Sequence, residues 1–168
     1  MENTFLKNYE MPKDQPKYMK FKKWINKFRV LSPAITGWVD WKNEGEKKTP
    51  IRTTEKPKID IDPTKPARHF RAMIVWNYEN ECIQILEITQ KKILQSLYAY
   101  VESSDRGSPL LYDIQIEKKG DGMQTEYITA PLPPKPLAKE ISLEYQAKKI
   151  DLQKLFSWED PFISEERF

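Results

Sequence analysis

Cysteine and histidine each occur once in this 168-residue chain, as Cys82 and His69. A lone cysteine closes no internal disulfide, so a reducing, intracellular setting is the expectation. One cysteine and one histidine also fall short of a structural zinc site, which excludes a histidine-based metal cluster. No apolar run approaches the roughly 18 residues needed to cross a bilayer, so no membrane association is expected. The opening stretch MENTFLKNYEMPKDQPKYMK has no apolar centre and is not expected to be a secretory signal. Glycines number five, and none belongs to a P-loop. G-x-S-x-G and H-E-x-x-H are missing too. Two small features remain. Asp60 and Asp62 read as solvated loop charge before they read as a metal pair. Gly120-Asp121-Gly122 reads as a turn, because no helical pattern follows to make it a phosphate cradle. The chain is therefore read as a non-enzyme with no cofactor and no metal.

What the sequence does have is charge and aromatic surface. Charged residues make up 32% and aromatics 12%, as in a folded protein with a wet exterior. The net charge of +3 conceals a division. Residues 1–71 carry 17 Lys/Arg against 9 Asp/Glu, whereas residues 72–168 carry 11 against 16. A basic front half points to a polyanion partner, with ordinary solvated charge as the alternative. The last twelve residues, SWEDPFISEERF, hold four acids and one arginine.

Periodicity supplies a coarse architecture. Residues 1–20 read as a basic N-terminal arm. Alternation predicts strands over 24–31 and 35–42, separated by Ser32-Pro33. Gly37 within the second suggests a bulge or bend. Residues 43–67 read as a long charged loop. A hairpin is predicted from 71–78 and 82–88, then a helix over 90–102 with Thr89 as its N-cap. A second hairpin spans 112–118 and 123–130. PLPPKP (131–136) reads as a stiff linker, and 137–156 as helical. The fold class expected is mostly β: a five- to six-stranded antiparallel OB-type Greek-key barrel, with one inserted helix and a C-terminal helical extension. An α+β sandwich is the alternative. The domain boundaries follow as 1–20 arm, 21–132 OB-fold domain, 133–156 proline linker and helix, and 157–168 acidic aromatic tail.

Single-strand binders need cations along a backbone track and aromatic faces for unstacked bases. Strand parity places Trp38 with Thr36, Asp40 and Lys42 on a polar face, where it would stack a base. Trp41, sharing a face with Ile35 and Val39 but lying beside the loop, is open to either role. Lys27, Arg29, Arg71 and the loop residues Lys47, Lys48 and Arg52 are the candidate phosphate contacts. Lys56 and Lys58 would assist them. Trp24, Phe28, Phe70 and Trp76 share faces with aliphatics and are expected in the core. In the tail, Trp158, Asp160, Phe162 and Phe168 have no burying period and suit docking into a basic, apolar pocket on a partner. A frayed terminus, or a tail lying in the protein's own groove, is the alternative.

Three blocks together resemble the single-stranded DNA-binding proteins of tailed bacteriophages, of the OB-fold, helix-destabilising type. They are YMKFKKWINKFRVLSPAITGWVDW, RAMIVWNYENECIQILEITQKKI and YDIQIEKKGDGMQTEYITAPLPPKPL, covering roughly residues 17–137. The resemblance implies sequence-tolerant coating of single-stranded DNA in phage replication, recombination and repair, in the cytoplasm of the infected host. It also implies an acidic tail that recruits phage or host replication and recombination proteins. The best-known relatives carry a structural zinc whose ligands this chain lacks. Their basic N-terminal segment has a counterpart only in Lys7, Lys13 and Lys17. A phage adaptor acting through its tail is the alternative function, and DNA is not separable from RNA by sequence.

Overall fold

A computed structural model describes residues 16–103 and 107–163. Seven stretches rich in β-branched and aromatic residues form its strands. These are β1 (Trp24–Val30), β2 (Ile35–Glu44), β3 (Lys47–Thr53), β4 (Arg68–Asn77), β5 (Cys82–Ile88), β6 (Tyr112–Lys119) and β7 (Glu126–Pro134). Helix α1 (Lys91–Glu102) lies between β5 and β6; α2 (Lys139–Ala147) and a short 3-10 turn (Leu152–Phe156) follow β7.

All seven strands are antiparallel in one sheet whose path runs β3-β2-β4-β1-β6-β7, with β5 added to β4. β1 and β2 lie end to end along one edge of β4. Phe28–Val30 face Asn77–Val75, and Ile35–Val39 face Ala72–Arg68. The break between them is stitched down. The Ile74 N–H donates to Ser32 Oγ at 2.9 Å, and the Leu31 N–H donates to the Ile74 carbonyl at 2.8 Å.

The mostly β, antiparallel expectation holds, as does the helix between the two hairpins. The strand count and the closure do not: among the described residues there are seven strands, and their sheet does not close into a barrel. The unanticipated strand is β3, inside the supposed loop. Its sequence, KKTPIRT, has a single aliphatic residue and therefore no readable period. The supposed linker is also partly strand. Pro131, Pro133 and Pro134 belong to β7, an edge strand, where proline is tolerated, and its pairing with β6 shifts register between Tyr112 and Ile114. Helix α1 starts after Gln90, with no side-chain cap, so Thr89 is not its N-cap.

β4 and β5 are covered on both faces. On one, Met73, Val75, Leu86 and Ile88 meet Phe28, Ile114, Ile116 and the α1 residues Ile93 and Leu97. On the other, Phe70, Ala72, Ile74, Ile83 and Ile85 pack with Val39 under Leu152 and Leu155. Phe28 and Phe70 are thus core, as expected, and Trp76 is half-buried against the second cluster. Trp24 is not core. It is 60% exposed with φ at 80°, at the first residue of β1, with Lys23 Nζ 5.7 Å from its ring.

Gly37 pairs regularly with Phe70, so it marks close approach and not a bulge. A Cβ there would stand 2.6 Å from the Thr53 carbonyl oxygen and 2.9 Å from the rings of Phe70 and Phe156. Gly37→Ala is expected to cost about 1–3 kcal/mol by overpacking, read from the urea midpoint. An unchanged midpoint would mean that the Leu152–Phe156 turn is not seated on β2.

Candidate nucleic-acid interface

The face of β2 that carries Val39 also carries Trp41 and Asn43, because alternate residues share a face. Register places Arg52, Pro50 and Lys48 of β3 directly opposite them, and Arg68 of β4 opposite Val39. The core beneath this face ends at Val39. Beyond it the sheet is uncovered, and Trp41 stands 47% exposed. One wall of the resulting groove is the segment before β1, held to β5 by the Met19 N–H on the Ile85 carbonyl and the Ile85 N–H on the Lys17 carbonyl, both 2.9 Å. This buries Met19 and turns its neighbours Tyr18 and Lys20 outward into the groove. The opposite wall is the loop 62–67. The cavity is about 1020 Å³, at the upper end for a ligand site.

Lys20, Lys48, Arg52, Lys65 and Arg68 line this groove, against Asp40, Asp62 and Glu87. Each acid is already committed. Asp40 is buried, accepting from the Trp41 N–H at 2.9 Å and the Ile61 N–H at 3.0 Å, and so clamps the loop to β2. Asp62 accepts from the hydroxyl and N–H of Thr64, which hold its carboxyl below the usual range. Glu87 takes two hydrogen bonds from Arg52, at 2.6 and 3.2 Å. Lys20, Lys48, Lys65 and Arg68 form no ion pair with these acids, so the groove presents a net positive surface beside an open indole. Arg68 and Thr89 also line an adjoining cavity of about 750 Å³ with His69, Lys91 and Tyr98, at the start of α1.

Of the residues expected from sequence, Trp41, Lys48 and Arg52 come together here. Lys47 lies nearby on the β2–β3 hairpin, opposite Glu44. Trp38 is on the opposite face of β2, half-buried, edge-on to His69 at 5.3 Å and with Lys56 Nζ 5.4 Å from its ring. Arg71 is half-buried between Thr36 and Ile88 and lines neither cavity. Lys27 is at the far end of the sheet, beside Tyr78. Arg29 must be corrected outright. It is 2% exposed, and its guanidinium donates to Asp113 at 3.2 Å and to the carbonyls of Leu110 and Lys135 at 3.1 and 2.8 Å. A cation so enclosed offers no face to a phosphate.

The tail expectation changes as well. Phe162 is half-buried against the Leu152–Leu155 cluster, and Asp160 pairs with Lys17 at 2.6 Å. That hydrogen bond, with one from the Phe162 N–H, holds the Asp160 carboxyl below its ordinary value. Trp158 remains 63% exposed; Phe168 lies outside the described residues. Sequence reasoning missed Tyr18, Lys20, Lys65 and Arg68. The alternation Tyr18-Met19-Lys20, with its apolar centre, was the available signal for the first two.

No family model matches this chain, and no solved structure shows a significant match. Among curated proteins it is similar to a probable ssDNA-binding protein of Escherichia phage T5, at 25% identity over 141 residues. The match covers 68% of this chain and 54% of that protein, so the chain spans about half the length of the curated relative it matches.

Proposed function

We propose that the protein binds single-stranded DNA without catalysis, in the groove walled by Tyr18–Lys20 and loop 62–67. One observation carries this reading: an exposed tryptophan, Trp41, set in an open groove with Lys20, Lys48, Lys65 and Arg68, which form no ion pair with an acid among the described residues. Base stacking and phosphate contacts need that combination, whereas a duplex binder needs an element shaped for a groove. The similarity to a phage protein named for the same ligand supports it. On this reading the antiparallel sheet with its inserted helix is an OB-like variant left open at its ends. The working role is protection of single strands during phage replication, recombination and repair in the host cytoplasm. Recruitment of partner proteins would fall to Trp158, since Asp160 and Phe162 are engaged within the chain.

Titration of tryptophan fluorescence with a dT oligomer tests the reading. Quenching is expected, stronger for single strand than duplex. Four phosphate contacts would give a slope of log K against log salt of about −3. Absent quenching at low salt, or equal quenching by duplex, would overturn it.

A further inference from the structure

Some ten residues along β4 from Arg68, roughly 33 Å at about 3.3 Å per residue, a second cationic cluster surrounds one carboxylate. Asp113 is 1% exposed. Its Oδ1 accepts from Arg29 at 3.2 Å and from the Tyr78 hydroxyl at 2.8 Å. Its Oδ2 lies 3.2 Å from Lys135 Nζ and 3.8 Å from Lys27 Nζ. Both ammoniums also sit over the Tyr78 ring, at 4.5 Å for Lys27 and 5.7 Å for Lys135. Arg29 alone neutralises Asp113. The two lysines are surplus positive charge, held at fixed positions although like charges repel. Each ammonium has three donors and shares one acceptor oxygen, so donors remain to face outward. The Lys135 side chain is 53% exposed and that of Lys27 35%.

We propose that Lys27, Lys135 and Tyr78, built on the Arg29–Asp113 pair, form a second phosphate site that takes the backbone of the same nucleic-acid strand after it leaves the groove. The inference rests on the single-strand reading above and extends it: the strand has two separated anchors. A nucleic acid is favoured over an acidic peptide because the groove already supplies one end of the track. The distance corresponds to on the order of ten nucleotides at duplex rise, and fewer if the strand is stretched. A long oligomer therefore reaches both sites, and a short one only the groove.

The test is the double variant Lys27→Ala/Lys135→Ala. The Lys135 carbonyl that holds Arg29 is backbone and survives the substitution. Anisotropy of labelled dT oligomers, one of about four nucleotides and one of about 20, is followed across salt concentrations. Long-oligomer affinity is expected to fall about tenfold at low salt, and its salt slope to shrink by about 1.4, for two contacts at about 0.7 each. Short-oligomer affinity should be unchanged, and Lys27→Arg/Lys135→Arg should restore the slope. An unaltered long-oligomer slope overturns the second anchor while leaving the groove standing. Equal losses for both lengths also overturn it, since the site would then not be separate. If the wild-type protein binds neither oligomer, the groove reading fails first and the anchor with it. If a polyglutamate peptide displaces the long oligomer only from the wild type and binds more tightly, the site belongs to an acidic protein partner instead.

Discussion

Asp113→Ala is expected to lower folding stability by about 3–5 kcal/mol. Among the described residues the carboxylate is the only acid paired with Arg29, whose guanidinium is enclosed by β1, β6 and the carbonyls of Leu110 and Lys135. Removing it strands a buried charge and leaves Lys27 and Lys135 facing that charge with nothing between them. Replacing both members, as in Arg29→Met/Asp113→Leu, should cost much less, because no unpaired charge remains. Chemical denaturation of the two variants checks this; a larger loss in the double variant would contradict it. Acid should produce the same weakness. Burial alone would raise the Asp113 carboxyl, but hydrogen bonds from Tyr78, Arg29 and Lys135 outweigh it and hold the group below its ordinary value. A depressed folded-state value stabilises the fold above the unfolded value and is lost as pH falls through the folded one. The contribution should thus be complete near neutrality and fade only in strong acid.

Trp41→Ala is expected to weaken single-strand affinity by about 1–3 kcal/mol, roughly five- to 160-fold, with little change in the denaturation midpoint. The indole stands beyond the core, so its removal exposes no new interior. Trp38→Ala should do the reverse: it abandons the His69 contact and part of the sheet's cover, costing stability more than affinity. Affinity measured by labelled-oligomer anisotropy, which needs no tryptophan signal, separates the two. If Trp38→Ala removes binding and Trp41→Ala does not, the groove has been assigned to the wrong face of β2.

That face is where reading by sequence was least secure. Period-two patterning placed β1, β2, β4, β5 and β6, and period 3.6 placed α1, because each buries apolar residues; β7, with no buried residue, was read from the glycine-bearing turn before it. The same rule set Trp38 on the polar side of β2 and left Trp41 open between core and surface. Parity tells which residues share a side, but not how far along the strand that side stays covered. Val39 and Trp41 do share a side; the core simply stops between them. Arg29 shows the complementary failure. A lone arginine on a strand looks solvated until its carboxylate, 84 residues later, is in place. β3 was invisible for a third reason: its ordering comes from backbone pairing with its neighbour and not from apolar content.

The position of β1 between β4 and β6 has a temporal meaning. Trp24 pairs with Lys118, so one side of β1 waits for about 90 residues to be synthesised. At about 5–20 residues per second that is several seconds to nearly twenty. Throughout that interval a newborn chain would display a bare strand edge, the surface most prone to mispairing with its neighbours on the ribosome. Lys22, Lys23 and Lys27 crowd this stretch, and charge there is the usual protection against such pairing. The lysines ahead of and within β1 thus suit a task in the nascent chain that needs no ligand at all.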